Sequence, residues 1–166
     1  MIVGLISDTH GLIRPEALTA LGDSELIVHA GDIGAPAVLD SLRTIAPVVA
    51  VRGNNDREAW AAAIPERVIT DIGGSRVCVI HEIDALGLDP AREGIAVVVS
   101  GHSHKPRIEQ RGGVLFVNPG SAGPRRFSLP IAVARLQLGR GAPRADLVTL
   151  TVTTTPSVRP KRRRAS

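Results

Sequence analysis

Ile2-Val3-Gly4-Leu5-Ile6 runs directly into Ser7-Asp8-Thr9-His10, an apolar segment that stops on side chains able to do chemistry. The same grammar recurs along the chain. Leu26 to Ala30 ends at Gly31-Asp32, and Val48 to Val51 ends at Arg52-Gly53-Asn54. Val77 to Ile80 ends at His81, and Ile95 to Val99 ends at Ser100-Gly101-His102. Short, near-continuous β-branched runs of this kind predict strands buried on both faces. Between the first three lie helical patterns, Pro15 to Leu21 and Pro36 to Ile45, each with proline in a first-turn position. The second places Val38, Leu39, Leu42 and Ile45 on one face. A β-α-β-α-β order implies a parallel sheet.

The later part of the chain follows another rule. Arg67 to Ile72 and Arg76 to Ile80 flank Gly73-Gly74, and Arg107 to Gln110 and Val114 to Val117 flank Gly112-Gly113. Both are hairpin signals. Ile131 to Leu138 and Arg144 to Thr151 flank a Gly/Pro-containing turn, a third hairpin. The expected class is α/β, with two packed mixed sheets and helices outside. No internal repeat is visible.

Composition narrows the function. With 166 residues and 43% hydrophobic content, the chain suits one domain with a full core. Its formal charge of +4 invites a nucleic-acid reading, but residues 159–166 hold five of the bases and no acid. The rest is close to neutral. We therefore expect a domain over residues 1–154 and a disordered basic tail over 155–166, with nucleic-acid contact limited to non-specific binding by that tail. Three aromatics, Trp60, Phe116 and Phe127, make no stacking set for single strands. No apolar run approaches the ~20 residues that span a bilayer, and no secretory leader is seen at Met1. One cysteine, Cys78, forms no intramolecular disulfide. A cytoplasmic location is the expectation, with a homo-oligomer left open.

The strand ends collect ligand-type residues: Asp8, His10, Asp32, Asn54, His81, His102 and His104. In an open α/β sheet the carboxyl edge of the strands is where ligands bind. Taken singly, each has a plain explanation. Asp-x-His suits a helix cap beside a surface histidine, and Gly-Asp and Gly-Asn suit ordinary βα turns. A lone histidine at a strand end is commonly a hydrogen-bonded structural residue. Their co-occurrence argues otherwise, because four of five histidines fall at predicted strand ends and two share one glycine turn. Only His29, inside the second strand, reads as a packed or supporting residue. Imidazole mixed with carboxylate and amide oxygen suits Mn, Fe, Zn, Co or Ni better than Ca or Mg. Seven ligands exceed the needs of one catalytic zinc, so two divalent ions, with Mn favoured, are the economical reading. Such a pair suits an anionic phosphoryl group and the activation of a bridging water.

The ordered series Asp8-x-His10, Gly31-Asp32, Gly53-Asn54, His81 and Gly101-His102-x-His104 resembles the calcineurin-like metallophosphoesterase superfamily. The Val51-Arg52-Gly53-Asn54 context and Asn118-Pro119-Gly120-Ser121 resemble its small single-domain phosphodiesterase branch, over roughly residues 1–150. The resemblance implies a four-layer αββα sandwich with a dinuclear site at the carboxyl-terminal strand ends. It assigns Asp8, His10, Asp32 and His104 to one ion. Asn54, His81 and His102 go to the other, with Asp32 shared. Hydrolysis of a small phosphoester by attack of a metal-bridging hydroxide is the implied activity, with Asn54, Asp32 and His81 as its catalytic residues. Asn54 also becomes a phosphate contact. Arg125 and Arg126, beyond the Asn-Pro-Gly-Ser turn, are candidate phosphate contacts set against a plain reading as solvated arginines.

Two positions depart from the family pattern. Asn55 stands where many relatives carry a histidine that protonates the leaving group, and Glu82 follows His81 where glycine is usual. Loss of that acid penalises alkoxide leaving groups most, which tilts the expectation toward phosphodiesters over monoesters. Asp56 is expected to orient the Asn54 loop. The rival reading is a protein-binding scaffold of the same fold, like the retromer subunit that has lost ligands. Retention of the whole His/Asp/Asn set separates the two. No phosphate-binding glycine loop, nucleophile elbow or dinucleotide fingerprint is present.

Overall fold

Residues 1–152 are described by the computed structural model. The first sheet is built from β1 (Ile2–Ile6), β2 (Leu26–His29) and β3 (Val48–Ala50), all parallel. Helices α1 (Pro15–Ala20) and α2 (Pro36–Arg43) connect them. The late hairpin β9 (Ala132–Gln137) and β10 (Arg144–Thr149) returns to this sheet, where β9 lies antiparallel to β1. The strand order is therefore β10-β9-β1-β2-β3.

The second sheet has the order β4-β5-β6-β8-β7. Its strands are β4 (Arg67–Ile72), β5 (Ser75–Ile80), β6 (Val97–Val99), β7 (Arg107–Arg111) and β8 (Val114–Asn118). Strands β5, β6 and β8 run parallel, and antiparallel β4 and β7 close the two edges. Both sheets are mixed, as the sequence implies.

Alternation along the strands divides the core into layers. Val3, Leu5, Val28, Ala134 and Leu136 face Val77, Val79, Val97, Val99 and Val117 between the sheets. Ile6, Ile27 and Val133 face outward against Ala17 of α1, Leu21 just after it, and Val38, Leu39 and Leu42 of α2. Gly4 permits close approach of α1, since a Cβ there would lie 2.6 Å from Ser24 Oγ and 2.8 Å from Leu21. Each fully buried Val or Leu contributes about 1.5–3 kcal/mol of transfer free energy. Most of the stability therefore comes from these two interfaces.

The fourth layer is thin. Among the described residues both α-helices cover the first sheet. The outer face of the second, with Cys78, Ile80 and Val98, packs against Leu86, Ile95 and a 3-10 turn at Ile83–Ala85. Element ends differ from expectation by one or two residues in both directions, with β5, β7 and β8 each a residue longer than expected and others shorter. The third strand stops at Ala50, and the strand expected from Ile95 starts at Val97. Ile95 and Ala96 instead give their N–H groups to Pro90 and Arg76 carbonyls. The expected tail, residues 155–166, lies outside the described residues.

Candidate metal centre

All parallel strands of both sheets discharge at one edge, and the ligand-type residues follow directly. Asp8 and His10 follow β1, Asp32 follows β2, and Asn54 follows β3. His81 follows β5, while His102 and His104 follow β6. The seven residues scattered over 97 positions converge on one cleft. Asp8 Oδ1 is 3.2 Å from His104 Nε2, which is 3.5 Å from His10 Nε2. Asp32 Oδ2 lies 3.9 Å from His10 Nε2 and 3.4 Å from His81 Nε2. Asn54 Oδ1 lies 3.1 Å from His81 Nε2 and 3.2 Å from His102 Nδ1. Two donor groups result, Asp8 with His10 and His104, and Asp8 with Asp32 and His81.

The backbone is held in an unusual state to achieve this. Among the described residues, six that are not glycine have positive φ: Asp8, His10, Asp32, His102, His104 and Phe127. Five of them are candidate ligands. Left-handed backbone costs an L-residue roughly 1–2 kcal/mol, and such strain persists where surrounding structure enforces it. Tight packing supplies that enforcement. A Cβ on Gly53 would collide with the Asp32 carboxylate, and one on Gly101 with Ser7 Oγ.

Hydrogen bonds leave selected atoms free. Asp8 Oδ2 accepts from Ser7 Oγ at 2.6 Å and from the His102 N–H at 3.1 Å. Its buried Oδ1 has no hydrogen-bond partner among the described residues, nor does His104 Nδ1. With Nδ1 donating to the Ala30 carbonyl at 2.7 Å, His81 turns Nε2 toward the Asp32 and Asn54 oxygens. A neutral ring there would set a lone pair against lone pairs, a conflict removed either by a proton on Nε2 or by a cation between the groups. Asp32 Oδ1 and Oδ2 accept from Asn55 N–H and Nδ2 at 2.9 and 2.6 Å.

Protonation follows from these contacts. Burial raises the Asp8 carboxyl above its ordinary range despite the Ser7 hydrogen bond. Burial acts the same way on Asp32, but hydrogen bonds from His81 and Asn55 overcome it and hold that carboxyl well below the usual range. His104 is lowered, first by burial and then by Arg126 and His10 against the pull of Asp8, toward the neutral form that binds metal. Although burial disfavours its charge, His81 is raised by Asp32 and the Ala30 carbonyl.

A supporting ring fixes the candidate ligands. Asp56 accepts from Ile33, Gly34 and Gly53 N–H groups at 2.8–3.0 Å, tying the Asp32 loop to the Asn54 loop. Its reach is wider than the single loop expected from sequence. His29 is fully buried, accepts from Gly31 N–H, and meets Thr9 Oγ1 at 2.9 Å. Asn118 Nδ2 donates to the Gly101 carbonyl and Ser103 Oγ, while Ser121 Oγ donates to the Asp8 carbonyl. Sequence reasoning passed over Ser7 and the Asn55 clamp; the adjacency of Ser7 to Asp8 was the available signal. Arg125 is exposed and makes no hydrogen bond among the described residues, whereas Arg126 is close enough to depress His104.

Known proteins resemble this chain in sequence and in fold. A probable metallophosphoesterase of Methanothermobacter thermautotrophicus is 38% identical over 145 residues, covering 78% of this chain and 82% of its own. A phosphodiesterase of Methanocaldococcus jannaschii is 30% identical over 138 residues, 72% of this chain and 83% of its own. Among solved structures, one described as a novel archaeal phosphodiesterase superposes with TM-score 0.75 at 23% identity, over 89% of this chain and all of that one. Chaetomium thermophilum Vps29 gives 0.71 at 20%, over 91% and 97%. At those identities the structures speak for the fold. The sequence model of the calcineurin-like phosphoesterase superfamily domain matches residues 1–141, and with these relatives it shows that the chain belongs to that superfamily.

Proposed function

We propose that the protein is a metal-dependent phosphodiesterase with two divalent ions per chain, Mn favoured. Asp8, His10, Asp32 and His104 would hold one ion, and Asn54, His81 and His102 the other, with Asp32 shared. The observation that carries this is the convergence of seven carboxylate, imidazole and amide side chains on one cleft, five of them on left-handed backbone and one, Asp8, with a buried carboxylate oxygen that has no hydrogen-bond partner among the described residues. Such ions supply Lewis-acid activation of water and charge neutralisation at phosphorus.

The chain's own residues do the rest. His81 is fixed in rotation and tautomer by Ala30, so its Nε2 faces the cleft. Asn54, with its oxygen directed to His81 and His102, keeps an amide Nδ2 for a phosphoryl oxygen. Asn55 spends its amide on Asp32 and carries no ionisable proton, so the leaving group departs without an acid at that position. This favours esters with good leaving groups, and diesters over unactivated monoesters. The name of the Methanocaldococcus relative supports the diester reading.

The test is hydrolysis of bis-p-nitrophenyl phosphate by metal-stripped, Mn²⁺-reloaded protein. We expect turnover in the wild type. In His81→Ala we expect loss of one ion and a rate lower by about a hundredfold or more. Full activity in that variant contradicts the assignment.

A further inference from the structure

Beside the second ligand group the cleft widens into a cavity of about 470 Å³, within the range of small-molecule sites. Asn54 and His81 form its inner wall, so a phosphoryl group at the ligand cluster would hold one ester substituent at its mouth. The remaining wall is mostly charged. Arg52, after β3, pairs with Glu66 at 2.8 Å. Arg67, at the start of β4, gives one nitrogen to the Leu86 carbonyl at 2.9 Å. Glu82 follows His81, and its carboxylate has no hydrogen bond or ion pair among the described residues. Ile80 and Ala85 supply the apolar surface.

That lining discriminates between substituents. It holds two guanidiniums and two carboxylates, so a second phosphate meets Glu66 and Glu82, and a cationic group meets Arg52 and Arg67. No Phe, Tyr or Trp lines the cavity, and the one ring there, His81, is held by the Ala30 carbonyl with Nε2 toward Asn54 and Asp32, which leaves a planar base without a large stacking partner. Two short apolar side chains do not accommodate an acyl chain. A neutral group with adjacent hydroxyls satisfies both charge types, donating to carboxylate and accepting from guanidinium.

We propose that this cavity binds a hydroxyl-rich substituent, of glycerol or sugar type, on the phosphodiester, and that Glu82 is its specificity-determining residue. The proposal rests on the phosphodiesterase reading above, and it explains why a carboxylate stands directly after a ligand histidine.

The experiment compares methyl, phenyl and glyceryl p-nitrophenyl phosphates on Mn-loaded full-length protein. The glyceryl ester should exceed the methyl ester about tenfold in kcat/KM, chiefly through KM, the worth of one or two new hydrogen bonds. In Glu82→Ala that ratio, measured within the variant, should fall close to one, and Glu82→Gln should restore part of it. A wild-type ratio near one, a preference for the phenyl ester, or an unchanged ratio in Glu82→Ala overturns the proposal while leaving phosphodiester hydrolysis intact. Failure to cleave any diester counts against the phosphodiesterase reading alone. Calorimetry of glycerol 1-phosphate against methyl phosphate then decides the cavity, with about tenfold tighter glyceryl binding expected and equal binding contradicting it.

Discussion

The two ends of the sheets turn the chain by different means. At the end away from the cleft, the three hairpins turn at Gly73-Gly74, Gly112-Gly113 and around Gly139 and Gly141, all glycines at positive φ. Each reversal there needs only geometry, and glycine provides it without strain. The cleft end also uses glycine, but every non-glycine residue at positive φ among those described lies there. At that end the chain needs the turn and a side chain at the same position, so His and Asp occupy backbone that disfavours them. The contrast separates turns that close the fold from turns that aim candidate ligands.

Alanine at one glycine from each end breaks the comparison most sharply. Gly53→Ala forces a methyl group into the Asp32 carboxylate, and we expect metal affinity to fall by about 10–100-fold. Gly112 has φ +56 and open space around it, so Gly112→Ala should cost only about 1 kcal/mol of stability and leave metal binding unchanged. Calorimetric metal titration with thermal unfolding reads both, and equal effects on affinity would erase the distinction.

A second contrast concerns pH. His29 supports the ligand loops from inside the fold, with its pKa pushed down to about 3 by burial and then by His81. Unfolded, the ring takes a proton near its ordinary 6.5, so below that pH the unfolded state binds a proton that native His29 refuses. Stability therefore falls as pH drops from 6.5 toward 3, through this group by up to about 1.4 kcal/mol per pH unit. Denaturant titrations of metal-free wild type and His29→Gln across that window should show the steeper acid loss in the wild type. Parallel curves contradict the role.

The smallest effect runs the other way. His102 is exposed with φ +66, so His102→Gly relieves strain while removing little packing. The metal-free variant should gain about 1 kcal/mol in stability as it loses affinity for one ion, which is the trade expected of a strained ligand. A destabilised variant would show that the left-handed backbone at His102 is unstrained.

The distinction between the ends also marks what sequence could reveal. Apolar runs stopping on Asp, Asn or His announce both a strand and a candidate ligand, because one residue ends the hydrophobic pattern and begins the polar cluster. The parallel β1–β3 order and the glycine hairpins were legible for the same local reason. Long-range pairings were not. Nothing near Ala132–Gln137 signals that this strand returns to pair with β1, and nothing near Asp56 shows that its carboxylate grips Ile33 and Gly34. Asn55 was visible as a missing acid. Its clamp on Asp32 depends on a loop 23 residues away. The thin outer layer over the second sheet was equally hidden, since Leu86 and Ile95 carry no helical period.

The central claim is that these strand ends were strained to hold two cations. Titration of stripped, full-length protein with Mn²⁺, read by calorimetry and by elemental analysis after dialysis, addresses it directly. The account predicts saturation at two ions per chain. Saturation at one ion, or none retained, contradicts it.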